Sequence, residues 1–318
     1  MKNSTEVTFF ILAAYGDLGE RKYFYFSFVL LLNLTIIFAN LTLILLIFVD
    51  RSLHEPMYVF LCNLFFNELY GNASLFPVLL LHILSDTHEI SRAFCLLQVF
   101  CLYTYGSTEL CNFAVMAYDR YLAICHPLHY SIRMTSCKVC SLVVFIWVFS
   151  FINFTVILSL QIRLPLCGNI IDKLCCGNYS LIRLSCIDTM LNNIYGLFAT
   201  VLVLAVPLIP ILYSYANIVR ICYKSPKEAR TKALNTCVPQ VISLLNFAVS
   251  CFYEIVQNRF DMTYIPKDVR NGFTMYFLTC PQLLNPIMYG LRMTKIRKSL
   301  KNRFFPNRAL QLPLSKGS

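Results

Sequence analysis

Seven long apolar stretches dominate this chain of 318 residues, at positions 23–49, 57–84, 92–124, 137–160, 192–222, 232–257 and 269–290. Each reaches the roughly 20 residues that an α-helix needs to cross the hydrocarbon core of a bilayer. Backbone N–H and C=O groups meet no water at that depth, so each segment must satisfy them internally, as a helix. With 58% hydrophobic and 14% charged residues and a mean hydropathy of +0.62, the chain has too few polar side chains to coat a soluble globule. The expectation is an all-α membrane protein. An outer tail (1–22) precedes a seven-transmembrane helix bundle (23–290), and a cytoplasmic tail (291–318) begins with a short amphipathic eighth helix.

Charge sets the orientation. The net charge of +11 could suggest nucleic acid, but Lys and Arg gather at Arg51, Arg120, Arg133, Lys138, from Arg220 to Lys232 and from Arg292 onward. These positions fall on one side of the seven crossings, with few acidic residues among them, so they are topology signals and lipid contacts and no nucleic-acid partner is expected. That side is the cytoplasm by the positive-inside rule, which puts the C-terminus inside and the N-terminus outside. The apolar patch at 7–15 is flanked by Glu6, Asp17 and Glu20 and lacks a small-x-small cleavage site, so it reads as uncleaved outer tail. Asn3 opens a glycosylation sequon there, and Asn178 opens a second in the long outer loop.

The third apolar segment ends in Met116-Ala-Tyr-Asp-Arg-Tyr-Leu-Ala-Ile-Cys-His-Pro-Leu-His-Tyr130. This string resembles the third-helix ending of vertebrate odorant receptors, a branch of the rhodopsin-like G-protein-coupled receptors. The resemblance continues through Leu53-His-Glu-Pro-Met-Tyr58, Ser214-Tyr215, Lys232-Ala-Leu-Asn-Thr-Cys237, Pro281, Asn285-Pro286 and Tyr289, nearly the whole chain. The outer-loop segment from Cys176 to Cys186 is similar to receptors of fish and of the water-soluble-odorant class. Two departures stand out. Pro239-Gln240 replaces the family's Ser-His, and Ala248 follows Phe247 where the family has a tyrosine that helps couple the pocket to helix movement. Pro239 should also bend the helix.

The resemblance implies a function and a set of sites. A small-molecule odorant binds between the helices and a stimulatory heterotrimeric G protein is activated, at the plasma membrane of olfactory sensory neurons. Asp119, Arg120, Tyr121, Tyr215 and Tyr289 serve coupling, with Arg120 held by Asp119 at rest. Tyr103, Gly106, Ser107, Ile255 and Arg259 line the ligand pocket. Arg259 either clamps a ligand carboxylate or pairs with Asp261 or Glu254 at the rim. Disulfides join Cys95 to Cys176 and Cys167 to Cys186, leaving Cys175 free.

Three acids interrupt apolar segments. By the resemblance, Glu68 and Glu109 stand at facing depths in the bundle, as the acid pair does in odorant receptors. Two carboxylates in one dry site cannot both ionise cheaply and would share a proton or bind a cation such as sodium. Glu254, near the outer end of the sixth segment, reads as snorkelling to water. No other cofactor or metal is implied. Phosphate loops, zinc-binding His pairs and nucleophile elbows are missing, so an enzyme is not expected. The rival reading, a small ion-coupled transporter or channel using these acids, has no need of the Asp119-Arg120-Tyr121 inner face.

Overall fold

The computed structural model describes residues 7–260 and 265–304, apart from the side chains of Lys232, Asn258, Arg259, Phe277 and Phe304. Its helices are α1 (Arg21–Val49), α2 (Pro56–Leu84), α3 (Arg92–Cys125), α4 (Tyr130–Arg133), α5 (Ser136–Ile162), α6 (Asn178–Arg183), α7 (Met190–Lys224), α8 (Lys227–Arg259), α9 (Lys267–Arg292) and α10 (Thr294–Phe304). The seven expected crossings are α1, α2, α3, α5, α7, α8 and α9. Among the described residues five of them, α1, α2, α5, α7 and α8, are apolar enough to cross a membrane on length and composition alone. Helix α3 is instead the polar axis of the bundle. It packs on α2, α5, α7 and α8, and that shielding lets it bury Gln98, Thr104, Ser107, Thr108, Glu109, Asn112 and Asp119.

Large apolar side chains outside the core, such as Phe24, Leu31, Phe38 and Leu45 on α1, present themselves at helical spacing to what would be lipid. Helix α8 runs through Pro239 without interruption.

The apolar patch of the tail is more than a tail. Residues Phe9–Leu12 form strand β1, which pairs antiparallel with β2 (Glu89–Ser91) and parallel with β3 (Ile170–Ile171), in the order β2-β1-β3. Phe10 and Leu12 are fully buried while Phe9 and Ile11 are exposed, the alternation a one-sided sheet requires. The segment after it is fixed by Tyr15, whose hydroxyl donates to the Leu174 carbonyl at 2.9 Å, and by Lys267 and Asn271 of α9, which donate to the carbonyls of Ala13 and Ala14. Gly16 and Gly19, at φ 59° and 52°, turn the chain into α1 through the left-handed region that only glycine enters cheaply.

Two disulfides close the same end of the bundle, Cys95–Cys176 and Cys167–Cys186, and Cys175 is a free, buried thiol. At the other end α10 docks by burying Ile296 against the bundle core, where Met293 just before the helix is buried too. It is tied by Lys295 to Glu55 and by Ser299 to Asp50. Its apolar face packs on the bundle, and Arg297, Lys298 and Lys301 are exposed.

Candidate functional site

Three polar or hollow regions lie along the bundle axis. The outermost is a cavity of about 310 Å³. Helix α3 supplies Tyr103, Gly106, Ser107 and Leu110 to its wall, α7 supplies Gly196, Thr200 and Val203, and α8 supplies Phe247, Cys251, Glu254 and Ile255. The roof comes from Cys175, Cys176 and Asn178 of the disulfide-tied loop, where the Cys176 N–H donates to Gln98 Oε1 at 2.9 Å. Most of this lining is apolar. Many of its polar groups are engaged: Ser150 donates to Ser107 at 2.8 Å, and Gln161 donates to the Asn178 side chain. Asn178 therefore faces the cavity.

Glu254 does not simply reach for water. It lines this cavity and pairs with Lys173 of the loop at 3.3 Å, and the neighbouring Asp172 pairs with Arg270 of α9 at 2.5 Å. Consecutive loop residues thus tie the roof to α8 and to α9. Tyr103, Gly106, Ser107 and Ile255 all line the cavity. The side chain of Arg259, with Asp261 and the Asn3 sequon, lies outside the described residues.

Midway along the axis, Glu68 of α2 and Glu109 of α3 are fully buried and share one donor. Asn285 Nδ2 bonds an oxygen of each, at 2.7 Å for Glu109. The remaining oxygens accept from the Tyr105 hydroxyl (3.0 Å, to Glu68) and from Asn67 Nδ2 (2.9 Å, to Glu109). The Oδ1 atoms of Asn67 and Asn285 are buried without a hydrogen-bond partner among the described residues. Carboxylate and amide oxygens together make an all-oxygen donor set, the kind that hard cations take, so the residues present fit a sodium ion. Gly71 holds the cluster in place from α2. A Cβ there would stand 2.6 Å from the Tyr105 ring, so only glycine lets Tyr105 lie against α2 and reach Glu68.

At the inner end, Asp119 is buried and accepts from Arg120 at 2.8 Å and from the Tyr130 hydroxyl at 2.7 Å. Arg120 faces an inner cavity of about 760 Å³ whose wall includes Glu55, Tyr58, Lys227, Arg292 and Lys295. Tyr215 is close by in the packing of α3, α7 and α8, and its hydroxyl has no hydrogen-bond partner among the described residues. Tyr289 is fully buried against Phe65, ring centroids 6.4 Å apart. Tyr121 packs against the same cluster as Tyr215 and bonds His126 at 2.9 Å, with its ring against Tyr213.

A stacked arrangement of hollow, buried acid pair and Arg-faced inner cavity fits a seven-helix receptor, and comparison with known proteins decides which. The sequence profile described as "Olfactory receptor" matches residues 26–306. The chain belongs to the olfactory receptor family. Olfactory receptor 11H6 of Homo sapiens is 35% identical over 304 residues, spanning 93% of this chain and 89% of that protein. Olfactory receptor 1M1 of Mus musculus is 36% identical over 310 residues, spanning 94% and 96%. Squid rhodopsin superposes with a TM-score of 0.71 at 17% identity, over 90% of this chain and 81% of that one, which establishes the fold. The protein is thus an odorant-sensing G-protein-coupled receptor, a multi-pass protein of the plasma membrane and not an enzyme.

The two departures from the olfactory receptor pattern now have places. Gln240 of α8 is buried and donates from Nε2 to the Phe113 carbonyl of α3 at 2.9 Å. Ala248 points out of the bundle, so a tyrosine on this backbone would meet lipid. The inward position belongs to Phe247, which lines the outer cavity and packs edge-on against Phe113 at 6.1 Å. Sequence reading missed Gln240 as a contact, along with Asn67, Tyr105 and Asn285 around the acid pair. Asn285 stood in a quoted motif, and the only signal of its role was an amide one turn from the helix face that carries Pro281.

Proposed function

We propose that this olfactory receptor binds a small, largely apolar odorant in the outer cavity and activates a stimulatory heterotrimeric G protein through the inner one. The observation that carries this reading is the roofed cavity between α3, α7 and α8. It is of a size suited to a small volatile molecule and is lined by apolar groups with a few polar ones to orient the ligand. Ligand bound there presses on Phe247 and Glu254 of α8, the helix that Gln240 ties to α3. Differential contact with two positions of α8 is what lets a ligand shift the resting population toward the active one.

In the resting state Arg120 is held by Asp119, and on activation it turns to Tyr215 and the G protein. A sodium ion between Glu68 and Glu109 favours the resting packing. The N-terminus faces outward, in keeping with disulfides at that end of the bundle. The basic face of α10 lies against anionic lipid, and the cell is an olfactory sensory neuron.

The experiment is a cAMP-reporter screen of small odorants on cells expressing the receptor, repeated with Gly106→Leu. Around Gly106 a Cβ meets only the Phe247 ring edge, at 3.8 Å, so leucine extends into the cavity. An activating odorant whose potency is unchanged in Gly106→Leu would place its binding elsewhere.

A further inference from the structure

Of the eleven free cysteines only two are exposed, Cys137 and Cys140. They stand one turn apart in the first two turns of α5 and so share a face. Further along the same helix Val144, Val148 and Ile152 are also exposed, a stripe of apolar side chains offered to lipid. Lys138 is exposed between the two thiols and Arg133 lies just before the helix. This end of the bundle is opposite the two disulfides, on the reducing side where thiols persist. The other cysteines near this end are less accessible: Cys222 and Cys237 are buried and Cys125 is partly covered. The sequence has no cysteine after Cys280, so the surface helix α10 has no thiol to carry a lipid.

We propose that Cys137 and Cys140 form an S-acylation site at the inner membrane surface. The donor is a long-chain fatty acyl-CoA, brought by a membrane-bound acyltransferase. The cysteine Sγ attacks the thioester carbonyl, the bond from that carbon to the coenzyme sulfur breaks, and the coenzyme leaves as a thiol carrying the cysteine's proton. No oxidant or reductant is consumed. Juxtamembrane cysteines are the usual acceptors of this modification. Here the helix axis directs an attached chain along Val144, Val148 and Ile152 into the inner leaflet, and the cations at Arg133 and Lys138 attract the anionic donor and lipid surface. The acylated turn adjoins the short helix α4, whose Tyr130 holds Asp119, so the modification pins the support of the coupling arginine to the membrane. This inference rests on the inner placement of that end and not on the identity of the odorant or the G protein.

The test is metabolic labelling of cells expressing the full receptor with an alkyne-bearing palmitate analogue. Hydroxylamine release and peptide mapping follow, for the unmodified receptor, Cys137→Ser, Cys140→Ser and the double variant. The expected result is a hydroxylamine-labile label on the peptide holding both cysteines, reduced in each single variant and below about a tenth in the double variant, which still has Cys125. An unlabelled unmodified receptor, or a label that persists in the double variant or maps to another peptide, overturns the proposal. If the double variant does not accumulate, mapping of the unmodified receptor decides by itself. Odorant response is recorded separately and has no bearing on the outcome.

Discussion

Gln240 on α8 donates to the backbone carbonyl of Phe113 on α3 across the middle of the bundle, at 2.9 Å. Both groups are buried, and a hydrogen bond between a side-chain amide and a carbonyl at such a site stabilises by about 1 kcal/mol. Outward movement of the inner half of α8 has to break it. Gln240→Ala should therefore raise basal activity several-fold and lower thermal stability slightly. Basal cAMP at matched surface expression checks this, and an unchanged or lower basal level would show that the bond does not hold the resting state.

Asn285→Ala removes the donor shared by Glu68 and Glu109. Hydrogen bonds to charged partners contribute about 1.5–3 kcal/mol, so this variant should melt well below the unmodified receptor. Glu109→Gln acts differently. It keeps the shape, removes one negative charge and should abolish the effect of sodium on agonist potency. Potency in Glu109→Gln that still falls with sodium as in the unmodified receptor would remove the cation site.

Gly71→Ala tests the packing that builds the same cluster. The added methyl meets the Tyr105 ring at 2.6 Å, and overpacking of this kind costs about 1–3 kcal/mol. A fall in melting temperature is expected, while Gly106→Ala, with its nearest neighbour at 3.8 Å, should melt as the unmodified receptor does. Equal behaviour of the two alanine variants would contradict the placement of Tyr105.

The roof of the outer cavity predicts a contrast between adjacent cysteines. Cys176→Ser breaks the bond to Cys95 and should prevent surface expression, since a lost disulfide commonly costs about 2–5 kcal/mol. Burial pushes the Cys175 thiol up to about 12, assisted by the Glu254 carboxylate. Below that pH the thiol is neutral, and the thiolate is the reactive form. In the folded receptor Cys175 should resist maleimide from pH 7 to 9 and react only after denaturation. Rapid labelling at pH 7 would mean that the loop is open.

The crossings were legible because a bilayer demands long apolar runs, and 57–84 as read from sequence differs from helix α2 by one residue. Glu68 and Glu109 stood out because carboxylates in apolar runs are rare, and their facing depth came from the resemblance. Their donors did not stand out, because Asn67 and Tyr105 look like any polar or aromatic residue of a helix, and only the packing of α2, α3 and α9 aims them. Strand β1 escaped notice for another reason. Four residues of alternation are too short a signal, and the partners of Phe9–Leu12 lie in two loops remote in sequence. Glu254 was read as snorkelling because its cation, Lys173, comes from a loop whose path is set by the disulfides.

The most direct test is nucleotide exchange with purified receptor and purified stimulatory G protein, with an odorant found by the cellular screen. The prediction is odorant-dependent exchange that Arg120→Ala abolishes, although Arg120→Ala still binds the odorant in the outer cavity. Odorant binding without exchange in the unmodified receptor, or ion flux across reconstituted vesicles in place of exchange, would contradict coupling through the inner cavity.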